Sequence, residues 1–129
     1  LPGINIKGFV DRITPSGDGV KVTDYKTGKF PRPAYMDQKW FQLLLYKVIV
    51  EQTINKPVNE VELIYLKDGK SIAKQTKPKD NETTLARVSN VHGEIKESIQ
   101  TGDFPTKVSK LCDWCNYKKI CPAWSARRR

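Results

Sequence analysis

The sequence predicts an α/β domain on three observations. Two stretches of alternating apolar and polar residues flank the turn signal Pro15-Ser16-Gly17-Asp18-Gly19. A run from Ala34 to about Gln52 carries Trp40, Phe41, Leu44, Leu45, Val48 and Ile49 at helical spacing and contains no Gly or Pro. A second pair of alternating stretches meets at Asp68-Gly69, a hairpin turn signal.

Each element follows in order. Ile4–Ile13 and Val20–Lys26 are the expected strands of the first hairpin. Thr27–Pro33, reading Thr-Gly-Lys-Phe-Pro-Arg-Pro, is a basic loop whose prolines exclude a helix. The helix from Ala34 comes next. Val58–Leu66 alternates as a strand, and Ser71–Thr76 returns as a short polar edge strand. Lys77–Asp80 is a linker, after which Asn81 or Thr83 caps a helix that runs to about Thr101 and closes at Gly102. Phe104-Pro105 opens an irregular tail with Cys112, Cys115, Cys121, Trp124 and a terminal Arg triplet. There are no internal repeats.

Length and composition narrow the classes. A chain of 129 residues is expected to form one domain with a modest core, residues 104–129 being its tail. No apolar run reaches the 18 or so residues of a membrane span. The chain begins Leu1-Pro2-Gly3, with no signal-peptide pattern, and enters a strand almost at once, so it reads as an excised piece or a processed product. A net charge of +9 favours a polyanionic partner, nucleic acid first; solubility is the plainer reading of the same charge. An odd cysteine count, spaced Cys112-x2-Cys115-x5-Cys121, argues against a secreted disulfide framework and for a reducing compartment with a metal or an iron–sulfur cluster.

The chemistry concentrates in the first hairpin. If its turn is symmetric about the Gly17–Asp18 bond, Asp11 falls opposite Asp24 and Phe9 opposite Lys26. Two carboxylates facing at ~4 Å repel by about 4 kcal/mol at an effective dielectric of ~20. A cation between them removes that penalty. Asp24 and Lys26, two apart on a strand, share one face. Two acids and an ammonium on one patch of sheet are equipment for metal-assisted phosphodiester hydrolysis. Two solubilising surface acids are the bland alternative, and it fits poorly, because Asp is depleted in β-branched strands.

Other candidates are weaker alone. Gln42 and Tyr46 share a helix face, where Gln42 could hold a phosphate or orient Lys26, and Tyr46 could stack on a base. Lys26, Lys29, Arg32, Lys39 and Lys47 flank the site and could neutralise phosphates; each taken singly is as readily a solvated cation. The three cysteines have metal-ligand spacing but lack a fourth ligand, for which His92 is a distant candidate in a predicted helix.

Taken together, Gly8-x2-Asp11-Arg12-Ile13, Asp24-Tyr25-Lys26-Thr27-Gly28, Gln42-x3-Tyr46 and Cys112-x2-Cys115-x5-Cys121 resemble the RecB-like nucleases of the PD-(D/E)xK superfamily. Within it, the likeness is to the iron–sulfur branch with AddB-type and CRISPR-adaptation nucleases. The resemblance covers nearly the whole chain. It implies a restriction-endonuclease-like core, a mixed central sheet flanked by helices, with a Cys-rich C-terminal tail. It implies DNA hydrolysis with Mg2+ or Mn2+, with an exonuclease of recombination, repair or phage DNA processing as the expected activity. A helicase or recombination partner, and the cytoplasm of a bacterial or phage-infected cell, come with the family.

The resemblance also assigns roles. Asp11 and Asp24 match the metal-binding acids, and the Tyr25 carbonyl a third ligand. Lys26 matches the catalytic lysine, which in the family polarises the scissile phosphate or helps position the water, with the electrostatic role favoured here, and Gln42 and Tyr46 match the Q-x3-Y motif. Lys29, Arg32 and Lys39 are the expected DNA contacts. Cys112, Cys115 and Cys121 match three ligands of a structural [4Fe-4S] cluster whose fourth Cys is absent from this sequence. Thr14 stands where the family usually carries a further acid. The family's upstream helical region, which supplies a metal-binding His or Glu and the first cluster Cys, precedes the sequence given. Two rival classes are an inactive DNA-binding or scaffolding module of a helicase–nuclease complex, and a small zinc-binding interaction domain.

Overall fold

A computed structural model describes residues 3–125. Strand β1 (Arg12–Ser16) turns back into β2 (Gly19–Lys26). A 3-10 turn at Pro33–Tyr35 leads into helix α1 (Met36–Ile54). Strands β3 (Val58–Tyr65) and β4 (Lys70–Gln75) follow, then helix α2 (Lys79–Thr101), a 3-10 turn at Lys110–Trp114 and the short α3 (Pro122–Ser125). Two compact units are recognised, Leu1–His92 and Gly93–Arg129.

The first unit holds a mixed four-stranded sheet in the order β1-β2-β3-β4. β1 and β2 are antiparallel, β2 and β3 parallel, β3 and β4 antiparallel. The parallel pair is possible because α1 is the crossover between its strands. The predicted hairpin register holds over the paired residues, from Arg12 opposite Thr23 to Ser16 opposite Gly19. Gly17, at φ 59°, supplies the left-handed turn residue. Alternation along β2 and along Val61–Tyr65 of β3, with Val58 joining them across a register shift in the β2–β3 ladder, buries Val20, Val22, Val58, Val61, Leu63 and Tyr65 in one cluster with Leu43 and Val50 of α1. Asp24 lies on that same face of β2, at the end where the chain leaves the sheet.

Several boundaries differ from expectation. Ile4–Val10 is not a strand; β1 starts only at Arg12. The register would place residues 4–8 opposite residues 27–31, a loop whose Pro31 and Pro33 keep it out of the sheet, and the ladder itself stops at Arg12, so Phe9 and Val10 do not pair with the end of β2. α1 begins at Met36, since Pro33–Tyr35 forms a 3-10 turn first, and it ends at Ile54 on Asn55, left-handed at φ 51°. α2 starts at Lys79 rather than after an Asn81 or Thr83 cap. The Asn81 side chain is occupied elsewhere, as described below. The expected stop at Gly102 is found, with φ 73°. The terminal Arg triplet lies outside the described residues. No helix among the described residues is long and apolar enough to cross a membrane.

Gly19 is a packing requirement. A Cβ there would run into the carbonyl oxygen of Pro57, which accepts the Val20 N–H at 2.9 Å. Backbone cannot step aside cheaply. Gly19→Ala is therefore expected to destabilise the protein by about 1–3 kcal/mol, read as a lowered urea midpoint. Gly28→Ala, which meets nothing within 4 Å, is the control and should shift stability by less than about 0.5 kcal/mol.

Candidate metal-dependent hydrolytic site

Strand alternation and one helix face bring four predicted residues into a bonded chain. Asp24 and Lys26 point from β2 to the side that α1 covers. The Lys26 ammonium lies 2.7 Å from Asp24 Oδ2. It donates to Gln42 Oε1 at 3.1 Å, and Gln42 Nε2 donates to the Tyr46 hydroxyl at 3.0 Å. Gln42 is thus bonded to the lysine on one side and to Tyr46 on the other. Both of its ends are used, so the amide orientation follows from the network. Lys39 lies three residues before Gln42 and shares its helix face.

Asp11 stands just before β1 rather than inside the ladder. The expected face-off with Asp24 is therefore not a ladder pair. Its Oδ2 instead accepts the backbone N–H of Tyr25 at 2.8 Å, which fastens the acid to the middle of the Asp24-Tyr25-Lys26 run. The Tyr25 hydroxyl accepts from Arg12 at 3.2 Å.

Gly8 explains its place in the motif string. A Cβ at Gly8 would come within 2.8 Å of the Tyr46 ring. The chain before Asp11 therefore lies directly against the last member of the bonded chain, and only glycine fits between them.

One buried atom bears on cation binding. Asp24 is 5% exposed, and its Oδ2 has no hydrogen-bond partner among the described residues. The Lys26 contact is close but poorly angled for a hydrogen bond, so it counts as an ion pair alone. A buried carboxylate oxygen without a hydrogen bond is costly, and a hard divalent cation is what oxygen ligands of this kind accept. Asp24 offers such an oxygen, and Asp11, bonded to the neighbouring Tyr25 N–H, is the second acid on this part of the chain.

Other candidates fall in different places. Lys29 and Arg32 are exposed on the loop after β2, and Lys39 is half-buried. Lys47 is not a flanking cation. Its side chain is 3% exposed and donates to both Glu51 oxygens at 2.8 and 2.9 Å and to Asn81 Oδ1 at 2.7 Å. It faces the interior because, four residues after Leu43 and three before Val50, it shares their buried helix face.

In the second unit, Cys112 belongs to the 3-10 turn Lys110–Trp114, capped by Ser109. The Ser109 N–H donates to Cys112 Sγ at 3.3 Å, and this bond holds the thiol below its ordinary range. Cys115 and Cys121 are free thiols, exposed and half-buried. Among the described residues, no three His, Cys, Asp or Glu side chains form a group that could hold a metal ion. The three cysteines do not fit an iron–sulfur cluster as they are arranged. His92, within α2, joins no such group either.

Tyr65 belongs to no motif and was not among the expected site residues. It ends β3 beside Lys26 in the parallel ladder, is 2% exposed, and its hydroxyl has no hydrogen-bond partner among the described residues. Burial pushes its phenol up, Lys26 draws it down and Asp24 raises it, so both charges are felt at the ring. The Phe30 ring packs on it edge to face at 5.1 Å. In sequence, a tyrosine closing an apolar alternation reads as core.

The mixed sheet thus sets Asp24 and Lys26 at the end of β2, with Asp11 fastened beside them and Gln42 and Tyr46 of α1 behind. The family model described as the PD-(D/E)XK nuclease superfamily matches residues 2–122, and the chain belongs to that superfamily. Two curated relatives are the Gene 69 proteins of Mycobacterium phages L5 and D29. They are 31% identical over 127 residues and 28% identical over 128 residues. Each alignment covers 96% of this chain, but only 42% and 45% of the relative. The chain thus spans less than half the length of these relatives.

Proposed function

We propose that this protein hydrolyses phosphodiester bonds in DNA, as an exonuclease of phage DNA processing, recombination or repair. The observation that carries the reading is the continuous chain Asp24–Lys26–Gln42–Tyr46, with Asp11 bonded to Tyr25 between its first two members. Superfamily membership and relatives from two phages support it.

Asp11, Asp24 and the Tyr25 carbonyl would hold Mg2+ or Mn2+. Such an ion supplies positive charge for a phosphate oxygen and for the attacking water. Gln42 fixes the lysine, and Tyr46 fixes Gln42. Lys26 stabilises the negative charge that grows on the scissile phosphate, as a preorganised cation in a partly dehydrated site. Lys29, Arg32 and Lys39 neutralise backbone phosphates of the bound strand. Residues 1–129 act as one nuclease domain whose Cys-containing tail is 104–129. The Cys spacing favours placing the protein with the RecB/AddB iron–sulfur branch, any cluster there depending on a ligand from outside these residues.

The test is incubation of the protein with end-labelled single- and double-stranded DNA in Mg2+, Mn2+ or EDTA, beside Asp11→Asn and Asp24→Asn. Cleavage is expected only with metal, with mononucleotide products and at least about a 100-fold loss in each variant. Metal-independent cleavage, or variants as active as wild type, would refute the assignment of the acids. DNA binding without cleavage by the wild type would replace the enzyme with a binding module.

A further inference from the structure

The Tyr65 hydroxyl is unusual in this fold. It is buried with its ring and has no hydrogen-bond partner among the described residues. Buried hydroxyls are nearly always paired, and an unpaired one lowers stability. A phenylalanine would fill the same space against Phe30 without that cost.

Its neighbours supply the reason. Tyr65 is the ladder partner of Lys26 and, by alternation, points to the face that Asp24 and Lys26 share. Two buried oxygens near Lys26 therefore lack hydrogen bonds, Asp24 Oδ2 and Tyr65 Oη. The ammonium has three N–H donors. One goes to Gln42, and the contact with Asp24 Oδ2 is an ion pair without hydrogen-bond geometry. A cation taking over Asp24 Oδ2 would leave Lys26 with Gln42 and a free donor on the side of β3. A shift of the flexible lysine toward β3 would then give Tyr65 Oη a donor, while the cation serves Asp24 Oδ2.

We infer that Tyr65 is a positioning residue for Lys26. Its hydroxyl oxygen accepts from the ammonium in the substrate-engaged state and, with Gln42, aims the remaining N–H at the scissile phosphate. This rests on the nuclease reading above. No proton is transferred; only a hydrogen-bond partner is exchanged.

The experiment compares wild type, Tyr65→Phe, Lys26→Met and the double variant in steady-state cleavage of an end-labelled oligonucleotide with Mn2+, together with thermal melting in EDTA. Tyr65→Phe should lower kcat about 10- to 100-fold with little change in KM, as outer-shell partners do. Its metal-free melting temperature should stay level or rise by about 4 °C, since an unpaired buried hydroxyl is removed. In the Lys26→Met background it should change kcat no further, because its effect acts through that lysine. A kcat within about threefold of wild type overturns the assignment. So does a melting temperature several degrees lower, which marks a structural hydroxyl, or an undiminished effect without Lys26. A wild type that cuts nothing refutes the nuclease reading and this inference with it. A cutting wild type matched by Tyr65→Phe refutes the inference alone.

Discussion

Lys26→Met is expected to slow DNA cleavage by about 10²- to 10³-fold, the loss that follows removal of one preorganised group from developing negative charge. Methionine keeps the length and much of the packing of the lysine stem but brings no charge. The same substitution affects stability in a way that separates it from a simple loss of fold. Asp24 is 5% exposed, and its Oδ2 has the Lys26 ammonium at 2.7 Å. Without that ammonium a buried carboxylate is left uncompensated, which should lower stability by about 2–3 kcal/mol. Adding Asp24→Asn removes the stranded charge and should restore most of the stability while cleavage stays lost. The two effects then move in opposite directions in one double-mutant cycle of urea midpoints and initial rates. A Lys26→Met enzyme that keeps turnover within about threefold of wild type would show that the ammonium does not act on the phosphate.

What was legible in the sequence is what short-range chemistry dictates. Gly17, with its positive φ, sets the turn, and the turn sets the register, so Asp24 and Lys26 could be placed on one face from residues alone. The helical spacing from Trp40 to Ile49 was enough to set Gln42 and Tyr46 one turn apart on α1. What was hidden depends on partners distant in sequence. Ile4–Val10 alternates well, yet it has no neighbour in the described sheet: its first residues register with the loop after Lys26, and the ladder to β2 stops at Arg12. Pairing of β2 with β3 is long-range and parallel, and nothing in Val58–Tyr65 announces which strand it joins. That pairing alone puts Tyr65 beside Lys26. Gly8 was visible as a motif letter, but its reason, the Tyr46 ring, lies 38 residues downstream. Lys47 read as one more cation in a basic chain. Its burial depends on Asn81, 34 residues away.

That buried lysine carries the largest expected stability effect. All three Lys47 N–H groups are used, two on Glu51 and one on Asn81. Glu51 also accepts from the Val58 N–H at 2.8 Å and from Asn81 Nδ2 at 2.7 Å. The network thus joins α1 to the start of β3 and the first turn of α2, and all three N–H groups of its buried ammonium find acceptors. Lys47→Met should lower stability by about 3–5 kcal/mol, because it leaves the Glu51 charge partly buried without its counter-ion. Glu51→Gln in the same chain removes that charge and should recover part of the loss. The pH dependence follows from Glu51. Burial works to raise its carboxyl, but the bonds from Lys47, Asn81 and Val58 together hold it below the ordinary 4.5. Between the lowered folded value and 4.5, the unfolded chain binds more protons than the folded one. The contribution of Glu51 is therefore complete above that ordinary value and is lost as pH falls through the lower folded one. Urea midpoints should drop on acidification below 4.5 in the wild type and drop less in Lys47→Met, where the lowering partner is gone. Equal acid sensitivity in the two proteins would mean that other carboxylates govern acid unfolding. Because α1 also carries Gln42 and Tyr46, this network anchors the helix whose Gln42 is bonded to Lys26.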